Sequence, residues 1–168
     1  MTIKGDCDIS DVTLNGNTLE ISGNLNMSSG KLYLNGGQLI VGQNAYFTDI
    51  NEDGNYTSMY TSGILQMNNE SDQMVVAGDL VTFFYYGSNF KCSAGTLEIG
   101  GSWTDYTSLA ATGNFKVVFT ESQNFAVKGM GNSQDSGKIY VPILEVQNSS
   151  VRTVSMQGRV TAGTLLGE

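Results

Sequence analysis

Asp49, Asn51, Asp53 and Asn55 alternate through a short polar stretch with Gly54 between the last two, and this spacing is the sharpest chemical signal in the chain. Carboxylates and amides two residues apart in a tight loop can converge on one hard cation, while the glycine lets the backbone turn beneath it. The stretch matches the first half of a calcium loop of the Asp-x-Asn-x-Asp-Gly kind. The twelfth position, where a bidentate acid belongs, holds Tyr60. Two readings remain, a calcium loop completed from elsewhere and a solvated acidic turn.

A second signal is aromatic. Tyr56, Tyr60, Tyr85, Tyr86, Phe90 and Tyr106 fall in or beside three polar insertions, 48–62, 84–93 and 104–114. Rings gathered on one surface can stack on sugars or anchor a protein partner. Rings can equally cover the flank of their own elements, because long loops need an apolar anchor. Trp103 is expected to face the core.

Carboxylate catalysis fits poorly. Glu20 and Glu98 occupy the same outward place in two Leu-Glu-Ile phrases, with Ile40 and Val75 holding that place between them. At ~4.8 Å per repeat this separates the acids by roughly 14 Å, beyond the ~5 to 9.5 Å over which two carboxyl groups share a glycosidic bond. The chain has no histidine, and its two arginines, Arg152 and Arg159, lie near the end. The expectation is therefore no enzymatic activity.

The elements that must carry these residues are repeats. Leu32 and Leu34, Leu39 and Val41, then Ala45 and Phe47 form three short alternating pairs, split by Asn- and Gly-rich turns. Leu14, Leu19 with Ile21, and Leu25 with Met27 give the preceding copy. Leu65 with Met67, Met74 with Val76, and Leu80 give the next, and Leu97, Ile99 and Trp103 another. Ile3 to Ile9 makes a partial first coil, and beyond Phe115 the phrase loosens. A repeat that cannot bury its own apolar side stacks on its neighbours, so the period predicts a solenoid with Leu19, Leu39 and Met74 one above another. All three insertions leave after the same strand of a coil, which puts them on one edge. No 3.6-residue period persists, and almost no helix is expected. Pro142 marks a corner that needs no ladder N–H.

The phrases Gly30 to Val41, Ala94 to Gly101, Phe115 to Phe119 and Ile143 to Ser150 resemble the degenerate Gly-Thr-Leu-x-Leu-x-Gly and Lys-Val-x-Phe repeats of large bacterial cell-surface proteins. The resemblance covers most of the chain. It implies an all-β fold, a right-handed single-stranded parallel β-helix with three short strands per coil and loop insertions on one edge, as in adhesin-like and pectate-lyase-like solenoids. It carries over no catalytic residue.

Composition agrees with a surface of neutral hydrogen-bonding groups. Only 14% of the 168 residues are charged, with 16 acidic against 8 basic side chains and a net charge of -8. No basic row exists to displace counterions, which disfavours nucleic acid and anionic membrane surfaces, and no apolar run is long enough to insert in a membrane. Cys7 and Cys92 fall about three coils apart, farther than the about 7 Å that a disulfide spans, so two free, packed thiols are expected. Residues 1–168 read as a single domain, a piece of a longer surface protein stopping in mid-repeat. The leading expectation is an extracellular spacer or adhesin-like module on the bacterial cell surface, touching a protein or glycan on a host or microbial surface. A carbohydrate-binding or carbohydrate-active module using the aromatic ridge is the rival, and end-to-end self-association into filaments a third reading. Calorimetric titration with millimolar calcium separates the two readings of the Asp49 loop: heat of binding and a raised melting temperature belong to the cation site, silence in both to the acidic turn.

Overall fold

The computed structural model describes residues 1–48, 63–84, 89–107, 109–120, 125–129, 138–147, 154–157 and 159–167. Among these residues the secondary structure is strands and turns, with no α-helix. The first rung is β1 (Thr2–Ile3), β2 (Cys7–Asp8) and β3 (Asp11–Thr13). The second is β4 (Thr18–Ile21), β5 (Leu25–Asn26) and β6 (Lys31–Tyr33). The third is β7 (Gln38–Val41), β8 (Ala45–Phe47) and β9 (Ile64–Met67), and the fourth β10 (Gln73–Val76), β11 (Leu80–Thr82) and β12 (Phe90–Cys92). The fifth is β13 (Thr96–Ile99), β14 (Trp103–Asp105) and β15 (Leu109–Ala110). Then come β16 (Lys116–Phe119), β17 (Phe125–Gly129), β18 (Lys138–Val146), β19 (Val154–Gln157) and β20 (Arg159–Gly167).

Every pairing is parallel and joins one rung to the next, giving three sheets along a column: a parallel β-helix. The first sheet runs β1-β4-β7-β10-β13-β16-β18, the second from β2 through β8 and β14 to β19, and the third β3-β6-β9-β12. Leu19, Leu39, Met74, Leu97, Val117 and Leu144 align in one inward row, as the repeat requires. Each is 5% exposed or less, so the aliphatic rows form one continuous core. The partial first coil read from Ile3 to Ile9 is a complete rung. Its strands are two or three residues long and half polar, which blurs their alternation.

Two corners are built by different chemistry. Between the third and first sheets, Asn15-Gly16 and Asn35-Gly36 all take positive φ, and Asn17 and Gly37 donate their N–H groups back to Leu14 and Leu34 at 3.1 and 2.9 Å. Asn and Gly suit this left-handed pair of turn residues. On the next rung Asp72 replaces that turn. Its buried carboxylate accepts from the N–H groups of Asn68, Asn69 and Gly36 at 2.8, 3.0 and 2.5 Å.

Between the first and second sheets a ladder of side-chain oxygens climbs the rod. Asp6 Oδ1 accepts from the N–H of Asn24 at 2.7 Å, Asn24 Oδ1 from Asn44 at 3.0 Å, Asn44 Oδ1 from Asp79 at 2.7 Å, and Asp79 Oδ1 from Ser102 at 2.7 Å. The residue before the donor is Gly23, Gly78 or Gly101 in three of these rungs. A Cβ there would run into the accepting oxygen of the rung below, Asp6, Asn44 or Asp79.

Near its end the column changes section. β18 pairs with β15 through Ile139 and Tyr140 and with β16 through Ile143 to Val146, so one strand serves two faces. Pro142 sits at the bend, where the register on β20 passes from Val141 with Ala162 to Ile143 with Thr164. Cys7 and Cys92 are free, half-buried on the second sheet and buried on the third, and burial pushes both thiols up.

Replacing Gly101 by Ala should cost about 2 to 4 kcal/mol in urea unfolding, because it displaces the Asp79 ladder contact. Gly16 to Ala should cost only about 1 kcal/mol, since its positive φ is strained but the space around it is open.

Candidate functional site

The corner between the second and third sheets is the loop-bearing edge. Its connections grow from four residues between β5 and β6 to a long insertion between β8 and β9, then shorten between β11 and β12 and again between β14 and β15. The three insertions therefore share one edge. The second and third are shorter than their sequence suggests, because strands β12 and β15 lie inside the stretches 84–93 and 104–114.

Asp49, Asn51, Asp53, Asn55, Tyr56, Tyr60, Tyr85 and Tyr86 lie outside the described residues. Phe90 does not stand on the edge. It opens β12 with its side chain inward, 3% exposed, and Lys91 between it and Cys92 points to solvent. Its ring packs 6.0 Å from Phe84, 6.2 Å from Trp103 and edge-on to Phe115 at 5.8 Å, while Phe84 meets Phe47 at 5.6 Å. Such contacts add roughly 0.5 to 1.5 kcal/mol each to area burial, so this aromatic file stiffens the interior beneath the loops. Trp103 belongs to it, as expected. Tyr106 alone of the described candidates stays at the edge, half-buried, its ring 5.4 Å from half-buried Phe83 of the rung below.

A residue that sequence reasoning missed lies next to Tyr106. The second sheet's inward row reads Phe47, Thr82, Asp105, Gly129 from rung to rung, so a carboxyl occupies a core position. Asp105 is 0% exposed. Its Oδ1 accepts from the Thr82 hydroxyl at 2.9 Å and the Thr107 hydroxyl at 3.1 Å, and Thr82 Oγ1 accepts from Trp103 Nε1 at 3.1 Å. Asp105 Oδ2 has no hydrogen-bond partner. Burial pushes the carboxyl up to about 7 against the lowering effect of the Thr82 and Thr107 donors. The signal was in the chain: Trp103-Thr104-Asp105 aligns with Leu80-Val81-Thr82 and Ala45-Tyr46-Phe47, which makes the third residue inward.

The first sheet carries a shallow polar trough of about 340 Å³ lined by Glu70, Gln73, Glu98 and Lys116. Its side chains pair with each other across rungs. Gln38 Nε2 donates to Gln73 at 2.6 Å, Gln73 Nε2 to Glu98 at 2.8 Å, and Lys116 to Glu145 at 3.2 Å. Donation by Gln147, then by Lys116, holds the Glu145 carboxyl below the usual range. Glu20, Ile40, Val75 and Glu98 follow one another in register, so the two acids stand three rungs apart. Among the described residues no group of three or more His, Cys, Asp or Glu could hold a metal ion.

No protein-family model, curated protein or solved structure matches the chain.

Because the folded state holds the Asp105 proton more tightly than the unfolded chain, this group's stabilisation is complete below the ordinary carboxylate range and is lost as pH rises to about 7. The loss should be on the order of 4 kcal/mol. Thermal melts should find Asp105→Asn equal to the native chain only at about pH 3, and increasingly more stable than it from there to about pH 8.5.

Proposed function

We propose that this chain is a non-catalytic β-solenoid module of an extracellular bacterial cell surface, a rigid spacer or adhesin-like domain that contacts a host or microbial partner through its edge loops. The observation that carries the reading is the division of labour among corners. Through the fifth rung two corners are tight and bound rung to rung, with connections of three to five residues, whereas the three long polar insertions all leave at the third. Parallel ladders and a continuous core resist bending, and loops on one edge can vary without disturbing them. The Asp49 to Asn55 stretch, with its candidate calcium ligands, belongs to the longest of these connections. The wide separation of Glu20 and Glu98 supports the non-catalytic part of the proposal.

The second reading is a carbohydrate-binding module, favoured by the Phe83 and Tyr106 ring pair at the same edge. Labelled protein applied to a glycan array and to intact host and bacterial cells tests both. Replacing residues 49–62 with a short Ser-Ser-Gly turn should abolish cell binding with unchanged far-ultraviolet dichroism. Selective glycan binding weakened about tenfold or more by Tyr106→Ala would transfer the assignment to the second reading, and no binding to any cell or glycan would remove the recognition role.

A further inference from the structure

The inward row of the second sheet turns polar at one place, and that place is where the last short edge connection is tied down. Asp105 ends β14, and the Thr107 hydroxyl that reaches back to Oδ1 belongs to the connection leading into β15. From the rung below, Thr82 reaches the same oxygen. One carboxyl group thus fastens the fifth rung's connection to the fourth rung's strand. We propose that Asp105 is a proton-operated latch on the loop-bearing edge: its uncharged carboxyl keeps the fifth-rung corner shut, and its carboxylate opens that corner while the rest of the column stays wound.

The groups around Asp105 offer its charge hydrogen bonds, from the Thr82 and Thr107 hydroxyls and the Thr107 N–H, but no opposite charge. β11 presents Thr82, the following turn presents Thr107, and in β17 the register partner is Gly129, which has no side chain to offer. Tyr106, the other titratable residue of that turn, stacks on Phe83. Lys128 pairs in register with Thr104, not with Asp105. The forces acting on the carboxyl are burial and hydrogen bonds, with no charged neighbour among them. An ionised Oδ2 without a donor in this interior must find water or keep its proton.

The corner is also the cheapest part of the rung to open. β15 holds β18 through two register pairs, whereas the first sheet at the same rung pairs four residues on each side. Opening there releases Thr107 and carries Tyr106 away from Phe83, so the protonation state of a buried acid would set whether the edge ring pair is assembled. This differs from the global loss of stability with pH, because the inner ladders need not break.

The chain's only tryptophan reports on the latch, since Trp103 Nε1 donates to Thr82, which donates to Asp105. Tryptophan emission and acrylamide quenching are to be followed from about pH 5 to about pH 9 on the intact chain, with far-ultraviolet dichroism recorded on the same samples. Quenching should rise about threefold through a midpoint near neutrality at constant dichroism, and Asp105→Asn should hold it at the low-pH value. Thr107→Val removes a tie that exists only while the corner is shut, so the corner should open at lower pH and the midpoint should move downward. A flat native profile, the same transition in Asp105→Asn, loss of dichroism in step with the quenching, or an unmoved midpoint in Thr107→Val would each overturn the latch. The Thr107→Val result decides the matter even where Asp105→Asn fails to fold.

Discussion

From the second to the fifth, each rung of this molecule rests on an oxygen supplied by the rung beneath it. Strand-to-strand hydrogen bonds alone would hold three sheets together, yet a parallel ladder can slip by a residue pair. The side-chain acceptors Asp6, Asn24, Asn44 and Asp79 remove that freedom at one corner. A slip would leave a corner N–H without its partner and drive a glycine-sized gap against a side chain. Register fixed in this way decides everything else: which residues face inward, which edge the insertions share, and which rung meets Asp105.

The same register explains why a polar row can exist inside. Phe47, Thr82, Asp105 and Gly129 shrink in apolar content from rung to rung, while the aromatic file of Phe84, Phe90, Trp103 and Phe115 fills the space beside them. Trp103 links the two systems, with its ring in the file and its N–H on Thr82. A core of aliphatic residues only would tolerate small shifts. A hydrogen-bonded carboxyl beside packed rings tolerates fewer, which makes the loop-bearing edge the most charge-sensitive part of the column.

How much of this could be read from residues alone depended on how far each row kept to apolar alternation. Leu19, Leu39 and Met74 were legible as a stack because aliphatic residues recur between glycine turns. Phe90-Lys91-Cys92 was not, since a three-residue strand among loop aromatics carries too little pattern to stand out, and Phe90 was therefore assigned to the surface. Asp105 was hidden for the opposite reason: its type says solvent, and only alignment with Thr82 and Phe47 says core. The Gly-Asn and Gly-Asp corners were recognisable as turns, but the crowding that demands glycine there comes from a neighbouring rung and is invisible locally. Pro142 was placed at a corner correctly, whereas a single strand spanning two faces around it has no local signature.

The corner ladder also has a direction. At every step from Asp6 to Ser102 the oxygen belongs to the part of the chain synthesised first and the N–H to the part synthesised next. A polypeptide emerging amino end foremost, from a ribosome or through a pore, meets at each turn a template already complete. Winding can then proceed one turn at a time behind the exit, and no turn has to wait for a segment still to come at that corner.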